Sequence, residues 1–364
     1  MRLSHPIRIL LLLVLLLSGS NFTQAQDDGG GYAAYIDPQN FFHVFEEGKF
    51  KRLETLPIRE FKVARNFVVY VNNIGQFKMY RDGFSRVVRE NAPTRYDITD
   101  NLMVYLLGGQ MFVYEAGRNR LVASFVGDYV YGDSMVAFID VNSNLSVYYK
   151  KRLRRLEVFD VTDLKLGKNI LAYQNNFEEL HVYYRGESQQ LTRLVPMEYK
   201  VGRNTVAFID NYNRFKIFHK GNLLQADPFP PQRYQVGDDI VAYVNQNGQF
   251  MVFYDGLIQE IESQPPDNFE LNDGIVAYSL PSQQFRAFYD GQVFDLESYV
   301  PESYKIDNHV LVYPDFMNKL KSLYNGELLA PAERIATDYE VNLDVVTSWV
   351  QMNRPQFYFK GKVY

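Results

Sequence analysis

The chain has 364 residues, a formal net charge of −5, 15% aromatic side chains and no cysteine. Without cysteine it holds neither disulfides nor thiolate metal sites, and an acidic balance lacks the basic footprint of a nucleic-acid binder. In chain order, Arg2 and Arg8 bound a short positive region, nine consecutive apolar residues follow from Ile9 to Leu17, and Thr23-Gln24-Ala25 supplies small residues before Gln26. This pattern predicts a secretory signal peptide over residues 1–25. Its apolar run is far short of the roughly 20 residues that a membrane-spanning helix needs, and no later segment is apolar for that length. Residues 26–31, ending Asp27-Asp28-Gly29-Gly30-Gly31, read as a flexible tail. A lipid anchor is not expected, because a bacterial lipoprotein needs a cysteine at its cleavage site and there is none.

From residue 32 to 364 the chain is an array of about ten repeats. One column of the repeat falls at Tyr35, Tyr70, Tyr105, Phe138, Tyr173, Phe208, Tyr243, Tyr278, Tyr313 and Ser348, with one interval of 33 and the others of 35. A second column is a turn glycine, from Gly48 and Gly83 to Gly326 and Gly361, replaced by Lys151 in the fourth unit. A third opens each unit: Phe61, Tyr96, Tyr129, Leu164, Tyr199, Tyr234, Phe269, Tyr304, Tyr339. In the seventh unit the alternating Tyr234-Gln235-Val236, the apolar Ile240 to Val244 and the run Phe250 to Tyr254 are separated by Gly-Asp-Asp and Asn-Gln-Asn-Gly. Asp255-Gly256 then leads to a weaker run, Leu257 to Ile261. These are hairpin signals, because Gly and Asn tolerate the positive φ of tight turns. A helical reading would put Pro196, Pro231, Pro266 and Pro301 in or beside helices, at about 3 kcal/mol each. The chain is read as all-β, with three to four short antiparallel strands per repeat.

A strand such as Ile240-Val241-Ala242-Tyr243 is apolar on successive residues, so both its faces must be covered by neighbouring sheets. The residue before the aromatic is small in most units, as at Ala137, Ala172, Ala207 and Ala242, which lets twisted sheets approach near an axis. Sheets stacked in this way around an axis make a β-propeller. The copy at 237 to 256, Gly-Asp-Asp-Ile-Val-Ala-Tyr-Val-Asn and then Phe-Met-Val-Phe-Tyr-Asp-Gly, resembles the rhythm of bacterial TolB-like and WD-like propellers, without a Trp-Asp or Gly-His motif. One ring of ten, two rings of five and shared blades all fit this spacing. The incomplete terminal units predict closure by pairing of first and last strands in one blade, which removes exposed edges.

Chemistry is sparse. His43, His181, His219 and His309 fall in separate units with no metal spacing, and Asp140-Val141-Asn142-Ser143-Asn144 lacks the glycine and terminal glutamate of a calcium loop. It reads as a hairpin turn. No nucleophile elbow or phosphate loop occurs, so no catalytic residue, metal or cofactor is expected and the chain is read as a non-enzyme. Two departures from the repeat are the candidate partner-binding residues: the cations Lys150, Lys151, Arg152, Arg154 and Arg155, and the single tryptophan, Trp349. Each has a plainer reading, a solvated edge for the cations and a gap filler in a closing blade for the tryptophan. A third, the shortened turn Leu107-Gly108-Gly109-Gln110, reads as a deletion.

The leader and the Tyr/Asn-rich exported repeats resemble proteins of the Bacteroidota. That likeness implies a soluble periplasmic address, with extracellular release as the alternative since no C-terminal sorting domain follows the repeats. The expected function is a non-catalytic protein-interaction scaffold with a protein partner in the outer membrane or envelope and no nucleic acid. In kind it is similar to the periplasmic plug subunit of the type 9 protein-secretion translocon. A lectin-like carbohydrate binder is the alternative, although the turns vary freely between units, and a hydrolase with a central-channel site comes third.

Overall fold

The computed structural model describes residues 31–331, 336–342, 344–349 and 355–364; the expected signal peptide and residues 26–30 of the expected tail lie outside them. Ten antiparallel sheets follow one another along the chain, nine of four strands and the first of three, each ordered as its strands occur in sequence. No helix occurs among the described residues. The 35-residue repeat is therefore one blade, and ten blades form one propeller. Blade 7 is typical, with strands Arg233–Val236, Ile240–Val244, Phe250–Tyr254 and Leu257–Glu262 from the axis outward.

The second strand is buried over its length, as Ile240–Val244 is, because a blade lies against each of its faces. Between blades the core is a repeated group of rings. The third-strand Phe215 sits against the inner-strand Tyr234 and second-strand Tyr243 of the next blade, with centroids 5.0 and 5.1 Å away. Phe42, Phe77, Phe250 and Phe285 each meet the same two columns of the following blade at 4.9 to 5.6 Å. Tilted and edge-on ring pairs of this kind contribute about 0.5–1.5 kcal/mol each beyond their buried area.

Polar staples run beside the rings. In most blades the outer strand carries a bulge opposite the start of the third strand, as between Phe250 and Met251, and this inserts an extra residue. The aliphatic residue there, such as Leu53, Leu156 or Ile261, packs inward. The carboxylate that follows it reaches the next blade. Glu54 accepts from the Tyr70 hydroxyl at 3.0 Å and pairs with Lys78 at 2.6 Å, and Glu262 does the same with Tyr278 and Arg286, both at 2.8 Å. Nearer the axis, Lys62, Lys165, Lys200 and Lys305 donate to the backbone carbonyls of Tyr96, Tyr199, Tyr234 and Tyr339 at 2.5 to 3.1 Å.

The ring closes differently from the expectation. Among the described residues the first sheet holds only Tyr32–Ile36, Phe42–Glu46 and Lys49–Glu54, and the last holds only its own four strands, so no described blade mixes strands from the two ends. Blade 1 instead packs face to face on blade 10. Phe45 stacks on Phe357 with centroids 5.0 Å apart and 7° between planes, Tyr364 meets Phe45 at 5.3 Å, and Ala33 packs with Val345 and Phe359. Aromatic face-to-face packing therefore joins the two ends without strand exchange.

Candidate functional site

In blades 2 to 8 the turns of the first and third hairpins lie at one face of the ring, and the turn of the second hairpin and the link to the next blade lie at the other. Call these the hairpin face and the loop face. Three surfaces follow from the topology: the mouth of the central channel, the loop face and the outer rim.

At the channel mouth the first hairpins of blades 2 to 9 each deliver one residue of a single column: Arg65, Asp100, Asp133, Lys168, Arg203, Asp238, Asp273 and Asn308. Just before them Gly132, Gly167 and Gly202 touch the next blade so closely that a Cβ would lie 1.9 to 2.3 Å from its backbone carbonyl oxygen, so only glycine fits. Five of the column residues, Asp100, Asp133, Lys168, Asp238 and Asp273, line a cavity of about 530 Å³. Some contacts join adjacent blades. The Arg65 backbone N–H donates to Asp100 Oδ1 at 3.0 Å, that of Arg203 to Asp238 Oδ1 at 3.1 Å, and that of Asn308 to Asp273 Oδ2 at 2.7 Å. Others skip blades. Lys168 Nζ reaches Asp238 Oδ2 at 2.6 Å and also pairs with Asp273, while Arg203 reaches back to Asp133 at 3.3 Å as well as pairing with Asp238 of the adjacent blade at 3.4 Å. Side chains of blades 4 to 8 thus form one ion-pair latch over the opening.

Its electrostatics follow from that crowding. Burial, together with the shared hydrogen bond to Asp273, pushes the Asp238 carboxyl up to about 6 against the pull of Lys168 and Arg203. Burial and the nearby Asp100 also raise Asp133. Asp273 is held low despite its burial by the hydrogen bond from Asp238 and by the Lys168 ammonium. The arrangement places a carboxyl pair in the channel with Lys168 bridging both members. Among the described residues no group of three or more His, Cys, Asp or Glu has the geometry of a metal site.

The loop face is built on Asx turns. Asp140 Oδ1 accepts from the N–H groups of Asn142 and Asn144 at 2.8 and 3.0 Å, and Asp37, Asn175, Asp210, Asn245 and Asp315 make the same pair of bonds. The turn reading of residues 140–144 is therefore the structural one. His43 and His181 stack on Tyr35 and Tyr173 at 5.0 and 5.4 Å and contact Asp37 and Glu179, which makes them strand residues in a polar pair. Held out on these turns and links, in consecutive blades 4 to 6, are large apolar side chains. Val141, Phe177 and Tyr212 are 70, 71 and 69% exposed on the turns; Phe159, Met197 and Phe229 are 63, 68 and 60% exposed on the links. Blades 7 and 8 carry Gln246, Asn247 and Ser282 at the corresponding turns.

The two groups of residues expected from sequence do not meet. Lys150 and Lys151 form the third-hairpin turn of blade 4, on the hairpin face, and Arg152, Arg154 and Arg155 run along its exposed outer strand Arg152–Glu157. Arg154 donates to the Gly186 carbonyl of blade 5 at 2.8 Å, and Lys150 lies 5.3 Å from the Tyr149 ring. Trp349 ends the second strand of blade 10, Val345–Trp349, half-buried toward the loop face, its carbonyl accepting from Thr337. Different blades and opposite faces separate them. The short turn at Gly108 and Gly109, with φ of 59° and 74°, is a two-residue hairpin that pairs Leu107 directly with Gln110. Sequence reasoning missed the charged channel column, although it was visible as a 35-residue series of Asp, Lys and Arg beside the aromatic ones.

A family model described as the 10-bladed beta propeller domain matches residues 25–364. No curated protein matches the chain in sequence. Among solved structures, the computationally designed protein Ika8 is similar at 15% identity, over 83% of this chain and 96% of that one, with a TM-score of 0.34. Prp20p from Saccharomyces cerevisiae is similar at 11% identity, over 58% and 76%, with a TM-score of 0.34. PorZ of the type-IX secretion system of Porphyromonas gingivalis is similar at 12% identity, over 85% of this chain but 52% of PorZ, with a TM-score of 0.30. The chain thus spans about half the length of PorZ, and likenesses at these scores carry no functional argument. The family match over most of the chain and the ten sheets agree: the protein belongs to the family of the 10-bladed beta propeller domain.

Proposed function

We propose that this protein is a non-catalytic interaction scaffold of the cell envelope that binds its partner through the loop face. The observation that carries the reading is the run of exposed Phe, Tyr, Val and Met side chains on the turns and links of blades 4 to 6. Monomeric proteins seldom hold so many large apolar groups in water on one face unless that face is covered by a partner. Aromatic and methionine side chains are the types enriched at the centres of protein interfaces. The leader over residues 1–25 supports an exported, periplasmic protein, and the stacked blades give a stiff platform on which turns can vary without disturbing the core. An accessory or plug subunit of an outer-membrane protein-secretion translocon of the type 9 kind fits these features.

The test is affinity purification of the tagged protein from gently solubilised envelopes of its own organism, beside a variant carrying Phe159→Ser, Phe177→Ser and Met197→Ser. The expected result is an envelope protein recovered in stoichiometric amount with the wild type and reduced at least tenfold with the variant. Recovery of the wild type alone, or equal recovery with the folded variant, contradicts the proposal.

A further inference from the structure

The outer strands divide the rim by charge. In blades 1 to 4 they read Lys-Phe-Lys-Arg-Leu-Glu, Phe-Ser-Arg-Val-Val-Arg, Arg-Asn-Arg-Leu-Val-Ala-Ser and Arg-Leu-Arg-Arg-Leu-Glu. In blades 5 to 9 the outer strands carry no Lys or Arg, and their only charged residues are acids such as Glu187, Glu260, Glu262, Asp295, Glu297 and Glu327. The acidic arc is partly neutralised from within, since Arg286 pairs with Glu262 and Asp295, and Lys321 with Glu297. The basic arc is not. Among the described residues none of its outer-strand cations, nor Lys150 or Lys151, has a carboxylate within 4.0 Å. Protection of edge strands from aggregation asks only for charge of either sign on each edge. It does not account for one sign gathered over four consecutive blades and the other over the next five.

We infer that the outer rim of blades 1 to 4 is a docking surface for a concave acidic protein wall, separate from the loop face. Charge sets the sign of the partner and shape sets its kind. The cations are spread over four of the ten blades of a closed ring, which makes a convex arc. A flat anionic bilayer touches such an arc at the edge of one or two blades and leaves most cations unmatched. A second copy of the chain presents its own convex acidic arc, already partly paired, and meets the same limit. An acidic surface that curves around the rim engages all four strands together, each added blade raising the avidity of the whole, and the field of the arc steers it to that side. The inference rests on the scaffold reading for the existence of a partner but uses a different surface, so either can fail while the other stands.

The full mature chain is tested against polyglutamate, once as a decamer and once long enough to span four blades. Comparison is made with vesicles containing phosphatidylglycerol. The rim variant is Lys49→Glu with Arg152→Glu, two exposed side chains in different blades. The control is Arg193→Glu with Lys319→Glu, exposed cations outside the arc that make the same charge change. Expected are tighter binding of the long polymer than of the decamer, steep weakening with salt and a roughly tenfold loss in the rim variant. The control is expected to bind like the wild type, and the vesicles weakly. Unchanged melting temperatures show that the variants fold. Equal losses in both variants, no dependence on polymer length, or vesicles bound as tightly as the long polymer overturns the inference. So does concentration-dependent self-association that the rim variant abolishes.

Discussion

A single position shows how strictly the backbone dictates residue type. In each third hairpin two successive residues have positive φ, such as Asp255 at 47° with Gly256 at 84°, the geometry of a type I′ turn. In blade 4 the pair is Lys150 at 46° and Lys151 at 64°. A left-handed conformation costs a side-chain-bearing residue about 1–2 kcal/mol, while glycine adds about 0.5–1 kcal/mol of chain entropy to the unfolded state. Lys151→Gly is therefore expected to stabilise the protein by roughly 0.5–1 kcal/mol, read as a higher urea midpoint at unchanged slope. A lower midpoint would mean that the Lys151 side chain makes a contact worth more than the strain. The glycine column and its one exception were legible in sequence because the φ requirement repeats. The Asx turns were legible for the same reason. The bulge that delivers Glu54 and Glu262 to the next blade was not, because one extra residue in a short outer strand changes no periodicity that can be read against a variable turn.

At the scale of the element, the first hairpins carry a function that their strands do not need. The turns at Asp133, Lys168 and Arg203 are placed by the glycines just before them, and side chains of the column bond across the channel to blades not adjacent in sequence. Such pairing depends on the blades curving around one channel, so a linear reading of the repeat gives the column but not its partners. The raised Asp238 carboxyl supplies a test. Its folded value, about 6, lies above the unfolded carboxylate value of about 3.9. The neutral form is the one the fold favours, so the stability it contributes is complete below about pH 4 and is lost as pH rises through about 6. Asp238→Asn removes that ionisation while Lys168 keeps Asp273 and Arg203 keeps Asp133. The stability of the variant relative to wild type is expected to rise by on the order of 1–2 kcal/mol between about pH 4 and about pH 7.5, measured by thermal melts across the range. A constant difference, or one that falls with pH, would contradict the assigned direction.

For the whole molecule, the repeat made the all-β class and about ten units readable, since three columns recurring at one spacing fix the unit, but it left open whether the units close as one ring of ten, two rings of five or shared blades. The mode of closure was not readable. Phe45 and Phe357 belong to columns present in every blade, and nothing in them distinguishes face-to-face packing from strand exchange until both ends are placed. The charge division of the rim was hidden for a related reason: the run at Lys150 to Arg155 stood out as a cluster, whereas the cations of blades 1 to 3 are spaced a repeat apart and join it only on a ring. Both binding surfaces inferred for this protein, the apolar loop face and the basic rim, presuppose that closure.

Closure is therefore the claim to test most directly, and the absence of cysteine makes the test clean. Cysteines introduced at Lys49 and Lys362, on the outer strands of blades 1 and 10, carry the only two spin labels in the molecule. A reference pair at Glu327 and Lys362 spans the neighbouring blades 9 and 10. Pulsed electron paramagnetic resonance is expected to give one narrow distance for the first pair, matching the reference. A longer or broad distribution for Lys49 with Lys362, beside a narrow reference, would mean an open array of blades and would contradict the ring.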